Sequence, residues 1–512
     1  MAQVNKIDSN VTGLAYSVEA SLGVLAGSPV WKRLEPNSYS DFGGDNTKVA
    51  PNPINDSRQR KKGVLTDLDS SGGFNHNLTF FNVQELLEST LFAEMRKKGN
   101  QVVTAVDTDT MNPDEYEVAS TAGFLVGSLI KGFNFANSAN NAMNVVTAVT
   151  ADTSVEAADN QLVEETSPPS TARIQVVGFQ GDTGDIDVNV AGDLPALTST
   201  TLDFTTLGLV VGQWIYIGGD SAGLAFTNAA NNGFKRIRSI TANSLILDKS
   251  AMTMVTETST TETIQIFFGD VLRNESGTNI ARKSFHIERT LGIPDDASPS
   301  QVQSEFIRGA VPNEFTLNVP TAELLNVDFD FTAIDSLQKT GAEGPLQSNV
   351  ISPEKADVYN TSSDFSRIKM ASVLATDEAP APLFAFITEA DITINNNLTA
   401  NKAVGTLGAF EITAGTFTVS GSITAYFANV DAVKAVRNNN DITIDMIIVK
   451  ENKGIAIDLP LISLGDGRLN VEQDAAITLP LTMDAATAED IAPGMDHTAL
   501  FTFFGYLPNS AA

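Results

Sequence analysis

One stretch of this chain occurs twice. Phe135-Ala136-Asn137-Ser138-Ala139-Asn140-Asn141 returns as Phe226-Thr227-Asn228-Ala229-Ala230-Asn231-Asn232, an offset of 226 − 135 = 91 residues. The likeness extends upstream, with Val126-Gly127-Ser128-Leu129-Ile130 against Val211-Gly212-Gln213-Trp214-Ile215. Downstream, Ile174-Gln175-Val176-Val177 matches Ile264-Gln265-Ile266-Phe267. Two copies are too few for a solenoid, which needs about three units to bury a continuous core. The pattern is that of a small module, duplicated and inserted as a pair into something else. Each copy reads as short β-runs broken by Asn-Asn or glycine turns.

The surroundings are also mainly β. From Phe417 to Phe427, apolar or small residues (Phe417, Val419, Gly421, Ile423, Ala425, Phe427) alternate with Thr416, Thr418, Ser420, Ser422, Thr424 and Tyr426. A period of two places one face in a core and the other against water. Val430, Val433 and Val436 then predict a short helix, and Ile442, Ile444, Met446 and Ile448 a further strand. An earlier strand, Phe74–Phe80, leads into a helix with Val83, Leu86, Leu87 and Leu91 at helical spacing. The two strand-then-helix runs suggest a second, older duplication. Residues 1–60, rich in Pro and Gly, read as an extended arm. A polar stretch at 341–382 reads as a linker.

Composition excludes several functions. The 512 residues hold 32 Lys+Arg and 62 Asp+Glu, a net charge of −30, so the surface repels phosphate backbones. With no cysteine there is neither a disulfide nor thiolate chemistry. His76, His286 and His497 lack ligand-like spacing, and the first two read as structural strand residues. The run Asp185-Ile186-Asp187-Val188-Asn189 resembles the start of a calcium loop but has Val190 and Ala196 where that loop needs glycine and an acid. No phosphate loop, HExxH or nucleophile elbow is present. No enzyme, cofactor or metal site is expected. The start of the sequence carries no signal-peptide pattern and no apolar run reaches membrane-span length, so a soluble chain assembled in the cytoplasm is expected.

Several segments resemble the tail tube proteins of long-tailed, non-contractile bacteriophages. Gly13-Leu14-Ala15-Tyr16-Ser17-Val18-Glu19-Ala20-Ser21-Leu22-Gly23 looks like that family's Tyr-x-x-Glu-x-x-x-Gly opening, followed by Trp31 and Leu34. Gly309-Ala310-Val311-Pro312-Asn313 resembles its Gly-x-x-x-Asn strand, and Leu407-Gly408-Ala409-Phe410, Gly415–Phe427 and Ile457-Asp458-Leu459-Pro460 its C-terminal part. The resemblance implies a mainly β fold: two tail-tube β-sandwich or barrel domains, each with a short helix, plus two inserted small β modules. The expected boundaries are 1–100 and 271–345 for the first tube domain, 101–196 and 197–270 for the modules, 346–385 for a linker, and 386–512 for the second tube domain. It further implies a structural subunit that stacks as rings around an acidic DNA channel, each ring a trimer of two-domain chains. Its partners would be itself, the tape measure, the tail terminator and the tip, with no membrane; its place would be the virion tail. A β-modular surface adhesin, or an appendage or layer subunit, is the alternative.

Two groups of residues are candidate sites on this reading. Thr416, Thr418, Ser420, Ser422 and Thr424 would line the channel, where small neutral hydroxyls give passing phosphates no charged anchor; the alternative is that this face points outward to solvent. The basic cluster Arg58, Arg60, Lys61 and Lys62 reads most simply as a solvated loop, the alternative being an inter-subunit contact to an acidic neighbour. The repeated modules, because they interrupt a tube domain, are expected to be removable without loss of assembly.

Overall fold

The computed structural model describes residues 7, 12–54, 56, 58–108, 114–158, 161–192, 194–248, 254–292, 302–340, 350–352, 356–372, 386–427 and 430–511. The chain starts with β1 (Gly13–Ser21), β2 (Val24–Leu25) and β3 (Lys32–Leu34). A long hairpin of β4 (Ser38–Val49) and β5 (Val64–Asn77) leads to helix α1 (Gln84–Thr90). The repeated region supplies β6 (Asn100–Asp107), β7 (Glu115–Val118), β8 (Ser128–Phe133), β9 (Met143–Thr150), β10 (Ser154–Ala157) and β11 (Arg173–Gln180). It continues with β12 (Asp187–Asn189), β13 (Ala196–Thr198), β14 (Trp214–Ile217), β15 (Gly233–Ile240), β16 (Ser244–Leu247) and β17 (Gln265–Phe267). Next come β18 (Asp270–Arg273), β19 (Phe285–Gly292), β20 (Gln303–Val319), β21 (Asn326–Ala333), β22 (Asp335–Thr340), β23 (Phe365–Ser372) and β24 (Ile387–Asn395). The hairpin β25 (Thr399–Lys402) and β26 (Ala409–Thr413) precedes β27 (Thr418–Tyr426) and helix α2 (Asp431–Arg437). The chain ends in β28 (Ile442–Lys450), β29 (Lys453–Asp466), β30 (Thr478–Ala486) and β31 (Leu500–Phe504). The protein is mainly β.

The strands gather into two compact units. The first combines Met1–Ala93, Glu275–Thr361 and Thr388–Ile423; the second combines Glu94–Asn274, Ser362–Ile387 and Thr424–Ala512. In the first unit, β20 belongs to two sheets in turn. Its residues 303–310 pair with β19 and 303–308 with β22, while residues 311–318 pair with β21 on one side and 314–319 with β24 on the other. Beyond β21 the sheet continues to β5 and then β4. The inner faces close on aromatic rings: Phe315 lies 5.0 Å from Phe329, and Phe74 lies 5.7 Å from Phe329 and 5.9 Å from Phe331. Such pairs add about 0.5–1.5 kcal/mol each beyond their burial.

Residues 13–49 correct the expectation of an extended arm. Leu14, Tyr16, Trp31 and Leu34 are buried, β1 pairs with β19 and β3, and β4 with β5. Turn formers serve tight reversals between strands here, as at Gly23, where φ is +75°. Helix α1 forms where the apolar spacing predicts, with Leu86 and Leu87 buried. In α2 the valine spacing marks the helix but not its inner face: Ala432 and Ala435 are buried, whereas Val430 is exposed.

In the second unit, β6–β17 form one twelve-stranded sheet. The two copies of the repeat meet where β11 pairs antiparallel with β17, Phe179 facing Ile266 and Gln180 facing Gln265. The matching segments thus lie across one another about a local pseudo-twofold. The repeated asparagines explain why the motif is written twice. Asn141 accepts from the Phe135 N–H (2.9 Å) and donates to its carbonyl (3.0 Å), and Asn232 does the same to Phe226 (3.0 and 2.8 Å). Asn140 and Asn231, both fully buried, accept from the N–H of Val163 and Val255 and donate to Glu165 and Glu257. The buried asparagine amides thus find their partners in the loop itself and in the segment that follows it.

The rest of the second unit repeats an order of pairing found in the first. There β1 pairs with β19, β19 with β20, β20 with β21 and with β22. Here β23 pairs with β28, β28 with β29, β29 with β30 and with β31.

The modules share a core with these strands. Leu129, Val177, Trp214, Tyr216, Phe234 and Phe267 from the repeats pack in one cluster with Ile447, Val449, Ala456, Phe504 and Leu507. Arg236 of β15, almost wholly buried, bonds Asp458 of β29 (2.9 Å) and Thr443 of β28 (2.9 Å), and pairs with Asp248 (2.5 Å). Removing the modules would expose this apolar face and leave Asp458, which is fully buried, without its cation. This shared core argues against the expectation that the modules near 115–180 and 200–270 can be deleted harmlessly. A chain lacking residues 101–270 is expected to be insoluble or to bind a hydrophobic dye. Arg236→Ala should destabilise the second unit by about 3–5 kcal/mol, the usual consequence of breaking a buried pair on one side, read by chemical denaturation.

Candidate channel face and assembly edges

The change of sheet along β20 needs a corner, and the corner lies at Gly309–Asn313. Gly309 has φ +60°, and a Cβ there would come within 2.5 Å of the Ile334 side chain. Its N–H donates to the buried carboxylate of Glu19 at 2.7 Å. The same carboxylate accepts from the Gly23 N–H at 2.7 Å, the Ser284 hydroxyl at 2.5 Å and His286 Nδ1. Burial pushes the Glu19 carboxyl up, but the His286, Ser284, Gly309 and Gly23 donors outweigh it and hold it below its ordinary value. Beyond the corner, Asn396 donates to the carbonyls of Pro312 (3.0 Å) and Thr90 (2.9 Å), and Asn313 accepts from the Leu398 N–H at 2.8 Å. Glu19, Gly23, Gly309 and Asn313 are thereby parts of one support.

The corner sets up a sheet with two unlike faces. Across β5, β21, β20 and β24 one row reads Asn75, Asp328, Thr316, Thr393, a second Gly73, Asp330, Glu314, Asn395, and a third Asn77, Asn326, Asn318, Asp391. Side-chain bonds join them: Asn75 to Asp328 (2.8 Å), Asn318 to Asp328 (2.6 Å), Thr316 to Thr393 (2.9 Å) and Asn395 to Glu314 (2.6 Å). None of these twelve positions is Lys or Arg, and four are acidic. Burial, offset by the Ser40 hydroxyl and reinforced by Asp328 and Asp41, raises the Asp330 carboxyl. The residues between them on the same strands, Phe74, Val327, Phe329, Phe315, Leu317, Ile392 and Ile394, are buried on the other face.

The expected hydroxyl face lies beside this surface. Thr418 donates to the Asn395 carbonyl (3.4 Å), and the Ser422 N–H bonds Asp391 (3.1 Å). Thr416 and Thr418 are exposed, Ser420, Ser422 and Thr424 half-buried, and Val419 and Ile423 buried. The sequence reading missed the wider surface of which they are the margin. Its signal was present as acids and amides two apart, in Asn326-x-Asp328-x-Asp330 and Asp391-x-Thr393-x-Asn395. Arg58, Arg60, Lys61 and Lys62 are exposed on the loop between β4 and β5, near exposed Val49, Ile54 and Val64. The structure does not bring the two candidate groups together by any hydrogen bond or ion pair among the described residues.

The other candidates resolve as structural. His76 sits between the Asn77 carbonyl (2.7 Å) and Asn82 (2.8 Å). Burial, with Arg273 beside it, pushes His497 down to about 3, so it is neutral at any ordinary pH. Asp185 accepts from Ser199, Thr200 and Thr201, which occupies its oxygens. No helix among the described residues is long and apolar enough to cross a membrane.

A sequence profile of the phage tail tube proteins matches residues 9–209 and, separately, 175–485. The chain belongs to the phage tail tube proteins. No curated protein matches it. Among solved structures, phage phi92 endosialidase aligns over 90% of this chain and 71% of its own, at 10% identity and a TM-score of 0.15, a likeness that carries no argument. As a tail tube protein it is a structural component of the virion tail, in a family that assembles with itself and with other tail proteins.

The tail tube fold's dependence on Glu19 can be tested. Glu19→Gln presents an NH2 to donors that need an acceptor, which should destabilise the protein by about 1–3 kcal/mol at neutral pH. Because the folded Glu19 pKa is depressed, its contribution is present above the ordinary carboxylate range and lost as pH falls through the folded value. The stability gap between wild type and variant, from urea unfolding, should therefore close on acidification.

Proposed function

We infer that the chain is a two-domain tube subunit of a long-tailed, non-contractile phage, three copies of which close a ring around a DNA channel. The observation that carries this reading is the pairing of β20 with β24 inside one chain. By order of pairing, β29 is the counterpart of β20, and β24, the strand ahead of the loop into β27, is the counterpart of β4. Residues 461–466 of β29 pair with β30, and β4 pairs with β5 alone among the described residues. Among the described residues β29 beyond Ile462 and β4 each keep an unpaired edge, and these are the counterparts of the two edges that already pair in β20–β24. An open edge is a template for another strand. Joining β29 of one copy to β4 of the next repeats the internal contact, and three chains with two domains each supply six. The family profile, by matching the chain twice, supports two tube domains.

The polar sheet face then lines the channel, with Thr416, Thr418, Ser420, Ser422 and Thr424 at its margin. Its four acids and absence of basic residues keep the potential negative, so DNA passes without binding. The exposed basic loop at Arg58–Lys62 suits contact with another copy, whose net charge is strongly negative. Tape measure, terminator and tip proteins would be the partners at the tube's ends, and assembly would take place in the host cytoplasm. Thr418→Lys should leave stability within about 0.5 kcal/mol, as at other exposed sites, yet slow genome ejection at low salt. Ejection at the wild-type rate would remove the channel assignment.

The ring has a direct chemical test, because the chain lacks cysteine. Ser463→Cys is combined in turn with Ser38→Cys and with Ser40→Cys, and the assembled protein is oxidised. One of the two pairs is expected to give covalently closed trimers on a non-reducing gel. Assemblies that form no inter-chain disulfide with either pair contradict the ring.

A further inference from the structure

We propose that the end of the second tube domain at the β27–α2 junction is a docking site for the segment ahead of β1 of a second copy of this chain. The proposal rests on the ring reading above and on three matched positions. In the first unit, Trp31, which directly precedes β3 on the way into β4, the α1 N-cap Val83 and Leu325 ahead of β21 are 0%, 2% and 0% exposed. Their counterparts ahead of β24, at the α2 N-cap and ahead of β30 are Phe386, Val430 and Ile477, at 71%, 54% and 38%. The second set is one surface. The Tyr426 N–H bonds the Phe386 carbonyl at 3.1 Å and the Phe427 N–H bonds that of Ile477 at 3.0 Å, so both flank the end of β27, three residues from Val430. Three large apolar side chains in water where their counterparts are buried mark an interaction site.

What lies against Trp31 and Leu325 identifies the occupant. The segment ahead of β23 lies there: the Ile351 N–H bonds the Trp31 carbonyl at 2.8 Å, and its carbonyl accepts from Arg33 at 3.0 Å. The Tyr359 N–H bonds the Leu78 carbonyl at 3.1 Å, and its own carbonyl accepts from Leu325 at 2.9 Å, with Tyr359 itself buried. Thus the residues that precede the first strand of one tube domain seal the end of its neighbour. Strand β1 stands to β19 as β23 stands to β28, so the equivalent seal for the second domain is the segment ahead of β1, with Val4, Ile7 and Val11 as its apolar residues. In the ring, the tube domain next to the second domain is the first domain of another copy, so the segment arrives in trans.

The test replaces Phe386 with the photoreactive p-benzoylphenylalanine and assembles a mixture of light and ¹⁵N-labelled chains. After illumination and trypsin digestion, mixed-isotope crosslinks are expected from position 386 to the peptides Met1–Lys6 or Ile7–Lys32, within the first 12 residues. Trimers that form but crosslink elsewhere, or not at all, overturn the docking and leave the ring intact. A chain that remains monomeric under all assembly conditions overturns the ring and the docking with it.

Discussion

The corner in β20 is the constraint on which the first unit depends. A single strand of 17 residues serves one sheet with its first half and another with its second. Such a turn bends the backbone away from regular pairing and leaves amides that neither sheet can satisfy. Glu19 takes the Gly309 N–H of the corner together with the Gly23 N–H of the β1–β2 turn, and Asn396 and Asn313 hold the carbonyl and amide on the far side. The bend dictates the residue types around it, with a carboxylate where N–H groups converge, an asparagine where donor and acceptor are both needed, and a glycine where φ is positive. With the corner fixed, the second half of β20 can present an aromatic face inward and an acidic, amide-rich face outward, and offer its free edge to β24.

The second unit rests on a different device. The repeats, which the chain inserts between α1 and β18, build their own sheet yet also bury six large apolar side chains against the strands that close the chain. Arg236 fixes the register of that contact through Asp458 and Thr443, more than 200 residues away. A buried ion pair of this kind adds little net stability compared with an apolar contact, but leaving it half-made is strongly unfavourable. It therefore selects one arrangement of module on sheet over nearby alternatives.

Local features were legible in the sequence and distant ones were not. The alternation from Phe417 to Phe427 predicts β27 and its buried Val419 and Ile423 because period two is imposed by the strand itself. The repeated asparagines announce a duplicated loop for the same reason, since each bonds within about thirty residues of itself. Strand β4, Ser-Tyr-Ser-Asp-Phe-Gly-Gly-Asp-Asn-Thr-Lys-Val, carries no such alternation and reads as an arm; it is a strand because β5 lies beside it. Of the valines that mark α2, Val430 is exposed and Val433 and Val436 half-buried, and the fully buried positions are Ala432 and Ala435. The polar face was seen only at its margin, Thr418 to Ser422, since its rows draw one residue from each of four strands. Nothing in the neighbourhood of Arg236 hints at Asp458.

The central claim is that the β20–β24 contact within a chain is repeated by β29 and β4 between chains, so that two-domain subunits close in threes. Native mass spectrometry of the smallest closed ring tests it most directly. The account predicts a mass of three times the 54.3 kDa chain. A ring of six chains, or a closed particle of any number other than three, would contradict it.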